Sequence, residues 1–360
     1  METKVWIKKK IVRIVLTLAA ILLLKGLFSW SDQFRNFYFH RWYDWSSLVF
    51  RQITGIVPFS IGDVIYTVWI ITGIVYVLKV CYKLITFAWA DIGKILLRAI
   101  HFLLRAYLAF LVLWGFNYDR DSLAKDVGLA TTSYNTQQIY HLSDTLVQLV
   151  NKEKLRTGDS LRVLGPDPDS NTLFKRAIGA YDAAAGSWSA LKYKAPSVKK
   201  AVYGKLLNYT GVTGYLNPFT NEAQVNLTVP PVLHPFITCH EMAHQLGYAP
   251  EEEANFVGYL AATSISDARF RYSAQFDMFL YSVRQLSFRD TTLAKEIWNK
   301  ALPGVKADYK AMISFYEPYT GKVDEYSTFL YDRYLKANKQ DKGIRSYSEV
   351  TGWLIAYFRL

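Results

Sequence analysis

Three long apolar segments dominate the first third of the chain. They cover residues 11–30, 59–80 and 99–116, and each is close to the roughly 20 residues that one helix needs to cross the hydrocarbon of a bilayer. A strongly apolar start could also be a signal peptide, but no small-residue cleavage site follows the first segment. The pattern therefore predicts a membrane anchor over residues 1–116 with three transmembrane helices.

The segment between the first two apolar stretches is unusually rich in aromatic residues. It reads "FRNFYFHRWYDWSSLVF" from Phe34 to Phe50. Tyr and Trp rings favour the headgroup level of a membrane. We expect this segment to be a loop that lies along the interface.

The charge pattern predicts an orientation. The chain carries a formal net charge of +12, and much of the excess flanks the apolar segments, in residues 4–13 and 79–98. Basic flanks usually stay in the cytoplasm, so the chain after residue 116 is predicted to lie on the extracytoplasmic, periplasmic side of the cell (inner) membrane. No nucleic-acid-binding motif accompanies the charge, so no nucleic-acid partner is expected.

The remainder, residues 117–360, reads as a second, mostly helical domain. The 3.6-residue period predicts helices over 136–154, 172–186, 197–208, 235–246, 251–266, 272–287, 290–300, 304–317, 323–338 and 347–358. One segment, 222–229, alternates apolar and polar residues instead and stops at Pro230-Pro231, which predicts a short edge β-strand. Gln224 and Asn226 would lie on its polar face, and such an edge could bind an extended peptide. The fold class is therefore mainly α.

The stretch "HPFITCHEMAHQLG" carries the strongest chemical signal. Pro235 suits the first turn of a helix and Gly247 suits its end. In that helix His240 and His244 are one turn apart on one face, where both imidazoles can bind one zinc ion. Glu241 lies beside the pair and is the candidate catalytic base for a zinc-activated water.

A catalytic zinc usually has three protein ligands, so one more is expected. Glu251, Glu252 and Glu253 follow at the start of the next predicted helix. Only Glu251 shares a helix face with Asn255 and Gly258, which favours Glu251 as the third ligand, with Glu253 as the next candidate. Asn255 could hold a ligand histidine by a hydrogen bond from outside the metal shell.

HExxH followed by E-x-x-A-N resembles the gluzincin group of zinc metallopeptidases. The resemblance implies a zincin-like domain with a glutamate ligand on the following helix. With "WGFNYDR" after the third apolar segment, the chain more closely resembles an uncharacterised family of bacterial membrane-anchored zinc metallopeptidases. Only six residues separate His244 from Glu251, a spacing closer to metzincins, but Pro250 occupies the position of their third histidine.

The sequence thus predicts a membrane-anchored zinc metallopeptidase, a hydrolase acting on a peptide or protein substrate. Two alternatives remain open: a binding or sensory membrane protein with structural zinc, and a zinc amidase acting on cell-wall material. Tyr347, Tyr334 and Arg333 are candidate donors to the oxyanion. The two cysteines, Cys81 and Cys239, are not expected to pair.

Overall fold

The computed structural model describes residues 2–120, 123–129, 131, 133–158, 161–341, 343 and 349–360. The protein is mainly α-helical, as the sequence predicts, with one small sheet. The helices are α1 Glu2–Trp30, α2 Asp32–Phe37, α3 Asp44–Ile56, α4 Ile61–Ile85, α5 Trp89–Leu113, α6 Ala124–Val127, α7 Thr136–Arg156, α8 Ser170–Ala185, α9 Gly204–Asn208, α10 His234–Gln245, α11 Glu251–Ser264, α12 Ala268–Ser287, α13 Thr291–Asn299, α14 Pro303–Tyr316, α15 Lys322–Ala337 and α16 Val350–Phe358. The strands are β1 Val198–Lys200, β2 Gly214–Asn217 and β3 Glu222–Val225.

Helices α1, α4 and α5 contain the three apolar segments. Each is long and apolar enough to cross a membrane, which supports association with a lipid bilayer. Both α4 and α5 extend beyond the predicted apolar stretch at the ends that a short connection, residues 86–88, joins. The last predicted span ends early, at Leu113, because residues 115–119 form a 3-10 turn.

The aromatic segment after α1 is helical rather than a loop, and part of it is buried. A π-helical stretch, Tyr38–Tyr43, lies between α2 and α3. Tyr38, Phe39 and Tyr43 pack with Phe28 of α1 and with the end of α5. The expectation that this segment is a loop lying along the membrane interface is therefore wrong for these three rings, because protein side chains cover them.

The sheet has the order β1-β3-β2, so β3 is its central strand. It pairs in parallel with β1 and antiparallel with β2. The predicted edge position of segment 222–229 is wrong, and the strand ends at Val225. The partner β1 lies in 197–208, which was expected to be one helix; pairing with β3 makes residues 198–200 a strand instead.

The sheet holds the start of α4 through two buried carboxylates. Glu222 on β3 accepts hydrogen bonds from the backbone N–H groups of Ile61, at 3.0 Å, and Gly62, at 2.6 Å. These N–H groups have no partner within the helix, and a carboxylate there also suits the positive end of the helix dipole. Asp63 in turn accepts from the backbone N–H of Val202 and from the Tyr215 hydroxyl. The first apolar turn of α4 is therefore fixed to the C-terminal part of the protein.

The largest hydrophobic core lies among α7, α8, α10, α11, α12 and α16, beneath the sheet. A second, smaller core joins α1 and the end of α5 to the π-helical stretch. Ala249, in the turn after α10, belongs to this second core. Helix α10 thus lies between the two cores, at the place where the two parts of the chain meet.

Candidate metal centre

Helix α10 carries the two histidines of the HExxH motif. Pro235 occupies its first turn, where a backbone N–H would have no partner within the helix, so its absence costs no hydrogen bond. All of its residues are buried. The rings of His240 and His244 meet edge to face with centroids 4.7 Å apart. Both imidazoles therefore lie on one side of the helix, as the four-residue spacing predicts.

Helix α11 packs closely against α10 and brings Glu251 to the histidines. Pro250 precedes it in an extended conformation, and Glu251 is its first residue. Two turns later Gly258 faces α10, where an added Cβ would lie 3.0 Å from the backbone N of His240 and 3.1 Å from its Cα. An added Cβ would be tight against the His240 backbone, so glycine suits this contact. The face of α11 that carries Glu251, Asn255 and Gly258 therefore packs close to α10.

The three side chains converge on one point. Glu251 Oε2 lies 3.3 Å from His240 Nε2 and 3.6 Å from His244 Nε2, and one ligand atom from each residue lies within 4.8 Å of the others. Metal bonds of about 2.0–2.2 Å in a tetrahedral arrangement place ligand atoms about 3.4 Å apart. Glu251 Oε2 is buried and accepts no well-formed hydrogen bond. Both the spacing and the unpaired oxygen fit a metal ion held by these three residues.

Neighbouring groups orient the ligands. His244 Nδ1 lies 2.7 Å from the backbone carbonyl of Tyr248, to which it donates, so Nε2 is the ring nitrogen directed at the site. The hydroxyl of Tyr331 donates to Glu251 Oε1 at 2.7 Å and leaves Oε2 to face the histidines. Asn255 lies beside the His240 ring, as expected, and also beside the Tyr281 hydroxyl.

The electrostatics of the triad favour a cation. Burial opposes the ionised form of Glu251, but His244 and the contacts with both imidazoles outweigh it and lower the pKa of this carboxyl below its usual range. Burial alone would lower the pKa of His244, yet the carboxylate of Glu251 raises it to about 9. An anionic oxygen therefore lies at the centre of the triad, where it attracts a positive charge.

Glu241 lies next to the triad without taking part in it. Its carboxylate is buried, and Oε2 has no hydrogen-bond partner among the described residues. Burial raises the pKa of Glu241 to about 8; Glu251 acts in the same direction and His244 in the opposite one. Gly214 on β2 provides the room, since an added Cβ there would lie 2.6 Å from Glu241 Oε1. A carboxyl with a pKa near neutrality can both accept and return a proton.

The two following glutamates are used elsewhere. Glu252 is half-buried and accepts a hydrogen bond of 3.3 Å from Gln340. Glu253 accepts from the backbone N–H of Leu123 at 3.0 Å. Of the three acidic candidates, the structure thus brings Glu251 to the histidines and holds the other two away from them.

The family model described as "Protein of unknown function (DUF3810)" matches residues 38–355. The chain belongs to this family. No curated protein and no solved structure matches it. The region shared with the DUF3810 family includes α4, α5, the sheet and the whole candidate metal centre, and it begins at the π-helical stretch.

Residues at the start of the DUF3810 region hold the C-terminal end of α10. The Tyr43 hydroxyl lies 3.3 Å from the carbonyl oxygen of His244 and 3.2 Å from that of Gln245. The Arg120 guanidinium donates to the carbonyl of Leu246 at 2.7 Å. Gly247 has a φ of +95°, which favours glycine, and an added Cβ would meet Arg120 and Tyr43. The "WGFNYDR" segment therefore supports the turn that leads to Glu251.

The two residues predicted to bind substrate do not reach the site. Gln224 and Asn226 are fully buried. Gln224 donates to the Ser60 hydroxyl at 2.7 Å, and Asn226 donates to Asn208 at 2.9 Å. These amides hold the central strand in place, so their assignment to substrate binding is wrong. The error follows from the predicted edge position of β3.

The three candidate oxyanion donors differ in where they lie relative to the triad. Tyr334 lines the same cleft as the triad, and its hydroxyl lies 3.3 Å from that of Tyr118. Arg333 is exposed and its guanidinium lies over the ring of Phe329. Tyr347 lies outside the described residues. The tyrosine hydroxyl that contacts the Glu251 carboxylate belongs to Tyr331, which sequence reasoning missed because 80 positions separate the two residues.

A cleft of about 2870 Å³ opens from the triad. Its floor includes His240, Glu241, His244 and Glu251, and one wall is formed by β2. It continues between α4 and α5. The candidate metal centre of this DUF3810 protein is thus reached from a large space that two of the apolar helices border.

Proposed function

We propose that the protein is a membrane-anchored zinc-dependent metallopeptidase that hydrolyses peptide bonds. The convergence of His240, His244 and Glu251 at the spacing of metal ligands carries the proposal. Glu241 adds to it, because a carboxylate that is buried, unpaired and outside the ligand set has no obvious use at a structural site. Two histidines and a glutamate form a ligand set used by catalytic zinc, which leaves a fourth position for substrate or water.

The residues supply the proton chemistry of amide hydrolysis. A zinc ion held by the triad would polarise the scissile carbonyl and make water acidic enough to react near neutral pH. Glu241 accepts a proton from the attacking water at Oε2, the atom without a partner. The water oxygen bonds to the carbonyl carbon, the C–N bond breaks, and Glu241 returns the proton to the leaving nitrogen. Carboxylate and amine are the products.

The free edge of β2 is suited to align the substrate. Asn226 N–H donates to the carbonyl of Thr213 at 2.9 Å, so the alternation of an antiparallel pair turns the backbone groups of Gly214 and Leu216 away from β3. No other strand covers β2 in the part of the chain that the structure describes. Gly214 also touches Glu241. An extended peptide paired with this edge would pass beside the base and the triad.

The membrane part provides the proposed location. Helices α1, α4 and α5 would cross the cell membrane, with the basic residues before α1 and around the 86–88 connection in the cytoplasm. The ends of α4 and α5 that contact the sheet and α10 then lie on the extracytoplasmic side. The metal centre would act there, close to the membrane surface.

Replacement of the proposed base tests the assignment. Glu241→Gln removes the proton acceptor but keeps the size of the side chain, so the purified full chain should retain zinc and lose turnover by a factor of about 100 or more. The assay compares cells with the wild type and with Glu241→Gln and identifies envelope proteins that stay uncleaved. Glu252→Gln is the matched control: it makes the same chemical change at a glutamate that contacts Gln340 rather than the triad, so it should leave cleavage intact. Turnover that survives Glu241→Gln would contradict the proposal.

A further inference from the structure

The cleft that contains the triad extends deep between two apolar helices. Five of its lining residues on α4 share one helix face, at offsets 0, 3, 4, 7 and 11: Tyr66, Trp69, Ile70, Gly73 and Val77. Val68, Thr72 and Tyr76 widen this lining to one side. The same offsets, with Tyr107 added at offset 8, describe the lining face of α5: Ala99, Phe102, Leu103, Ala106 and Phe110. The two helices therefore turn matching faces towards one shared space.

This space reaches about halfway along the membrane-spanning part of α4. Eleven residues of helix separate Tyr66 from Val77, which is about 16 Å along the axis, or about half of the roughly 30 Å hydrocarbon thickness. Ile70, Val77 and Leu103 are more than half exposed. Gly73 faces open space, since an added Cβ would have no atom within 4 Å. This part of the cleft offers an apolar ligand a place within the bilayer.

The other end of the same cleft suits a polypeptide. Gly214 and Leu216 line it with the unpaired edge of β2, and a strand edge recognises the amide groups of an extended chain. A lipid tail has no amides to pair with this edge. One continuous cleft thus combines an apolar section between α4 and α5 with a peptide-pairing section beside the triad.

Resting on the proposed function, we infer that the substrate is itself a membrane protein. Its apolar segment lies between α4 and α5, and the residues that follow this segment extend along β2 to the metal centre. The peptide bond that is cleaved is then one next to a membrane-embedded segment, rather than one in a freely diffusing protein.

Two peptide pools with the same randomised cleavable region test this inference. In one pool the region is attached to a Leu/Ala segment of about 20 residues, the length that spans a bilayer; in the other it is attached to two acyl chains. Both pools concentrate at the membrane, so they differ only in the anchor. The zinc-loaded full chain in phosphatidylcholine vesicles should cleave the peptide-anchored pool about tenfold faster, the lower end of the effect that one methylene group in an apolar pocket provides.

Gly73→Trp would fill the apolar section, and Gly93→Trp is its matched control. Both glycines are exposed on membrane helices with open space around them, but Gly93 does not line the cleft. Gly73→Trp should remove the preference for the peptide anchor, so that the two pools are cleaved at similar rates. Gly93→Trp should behave as the wild type. Equal cleavage of both pools, or no effect of Gly73→Trp, would overturn the inference while the peptidase remains.

A binding measurement separates failure of this inference from failure of the proposed function. A spin label on Gly73→Cys, in a chain with Cys81→Ala and Glu241→Gln, should lose mobility when the peptide-anchored pool is added. If neither pool is cleaved but the label loses mobility, the site for an apolar polypeptide stands and the hydrolysis does not. An unchanged label, or release of fatty acid from the vesicle lipid, overturns the polypeptide substrate.

Discussion

Glu251 differs from the two glutamates beside it in what its carboxylate touches. Oε1 is held by the Tyr331 hydroxyl, which leaves Oε2 for the two imidazoles. Glu252 contacts Gln340 instead. The three consecutive glutamates therefore make different contacts, and of these three only Glu251 lies where it could bind a metal ion with the histidines.

Glu251→Gln should weaken zinc binding far more than Glu252→Gln does. Loss of an outer hydrogen-bond partner already costs about 10–100-fold in metal affinity, so loss of a charged ligand should cost more than about 100-fold. A competition titration with a zinc-binding dye on the purified full chain measures both dissociation constants. Equal affinities for the two variants would remove Glu251 from the ligand set.

The order of residues along the chain is enough to predict that His240, Glu241, His244, Glu251 and Asn255 lie close together. The reason is that all five lie on two consecutive helices, where a helical wheel fixes which side chains share a face. Tyr331, Tyr43 and Arg120 could not be predicted, because they reach the site from distant segments. The assignment of Gln224 and Asn226 to substrate binding is wrong because the polar face of an alternating strand can be covered by protein as well as by water. The sequence pattern is the same in both cases, and here protein covers both side chains.

The contact between α10 and α11 sets the distance from the histidines to Glu251. Gly258 is the point of closest approach. Gly258→Ala gains the better helix propensity of alanine, about 1 kcal/mol, but inserts a methyl group against the His240 backbone, which costs about 1–3 kcal/mol. The variant should therefore have a lower free energy of unfolding and weaker zinc binding, as measured by chemical denaturation and by dye competition.

Gly179→Ala in α8 is the matched control for this change. Its added Cβ would have one neighbour, at an ordinary distance of 3.7 Å, so the variant should be as stable as the wild type or more stable by up to about 1 kcal/mol. A loss of stability in Gly179→Ala equal to that in Gly258→Ala would show that close packing of α11 on α10 is not the cause.

Helices were more predictable than the sheet. Caps, prolines and the 3.6-residue period are local signals, and they locate α7, α10 and α11 to within a few residues. The position of β3 in the sheet depends on β1 and β2, which are three and four residues long and carry little pattern of their own. The pairing of distant segments, rather than the strand's own sequence, decides whether an edge is free.

Across the whole molecule, the apolar helices and the C-terminal part are joined at α10 and at the sheet. Glu222 holds the start of α4, and Tyr43 holds the end of α10. The boundary predicted at residue 116 stays a prediction, but Tyr43, which precedes it, contacts a residue of the candidate metal centre. Metal and activity measurements should accordingly use the full chain.

The proposed orientation predicts the behaviour of two fusions in a bacterial host. An alkaline phosphatase that is active only outside the cytoplasm should be active when fused after Leu360 and inactive when fused in the 86–88 connection. The reason is that basic residues surround this connection and the N-terminus. The opposite pattern would place the metal centre in the cytoplasm.

The zinc content of the purified full chain tests most directly whether His240, His244 and Glu251 hold one ion. Elemental analysis after removal of loosely bound metal should find about one zinc per chain in the wild type and in Glu241→Gln, since a folded site binds structural or catalytic zinc tightly. His240→Ala with His244→Ala should reduce it to near zero while the chain stays folded. A wild type without zinc, or a double variant that keeps it, would contradict the account.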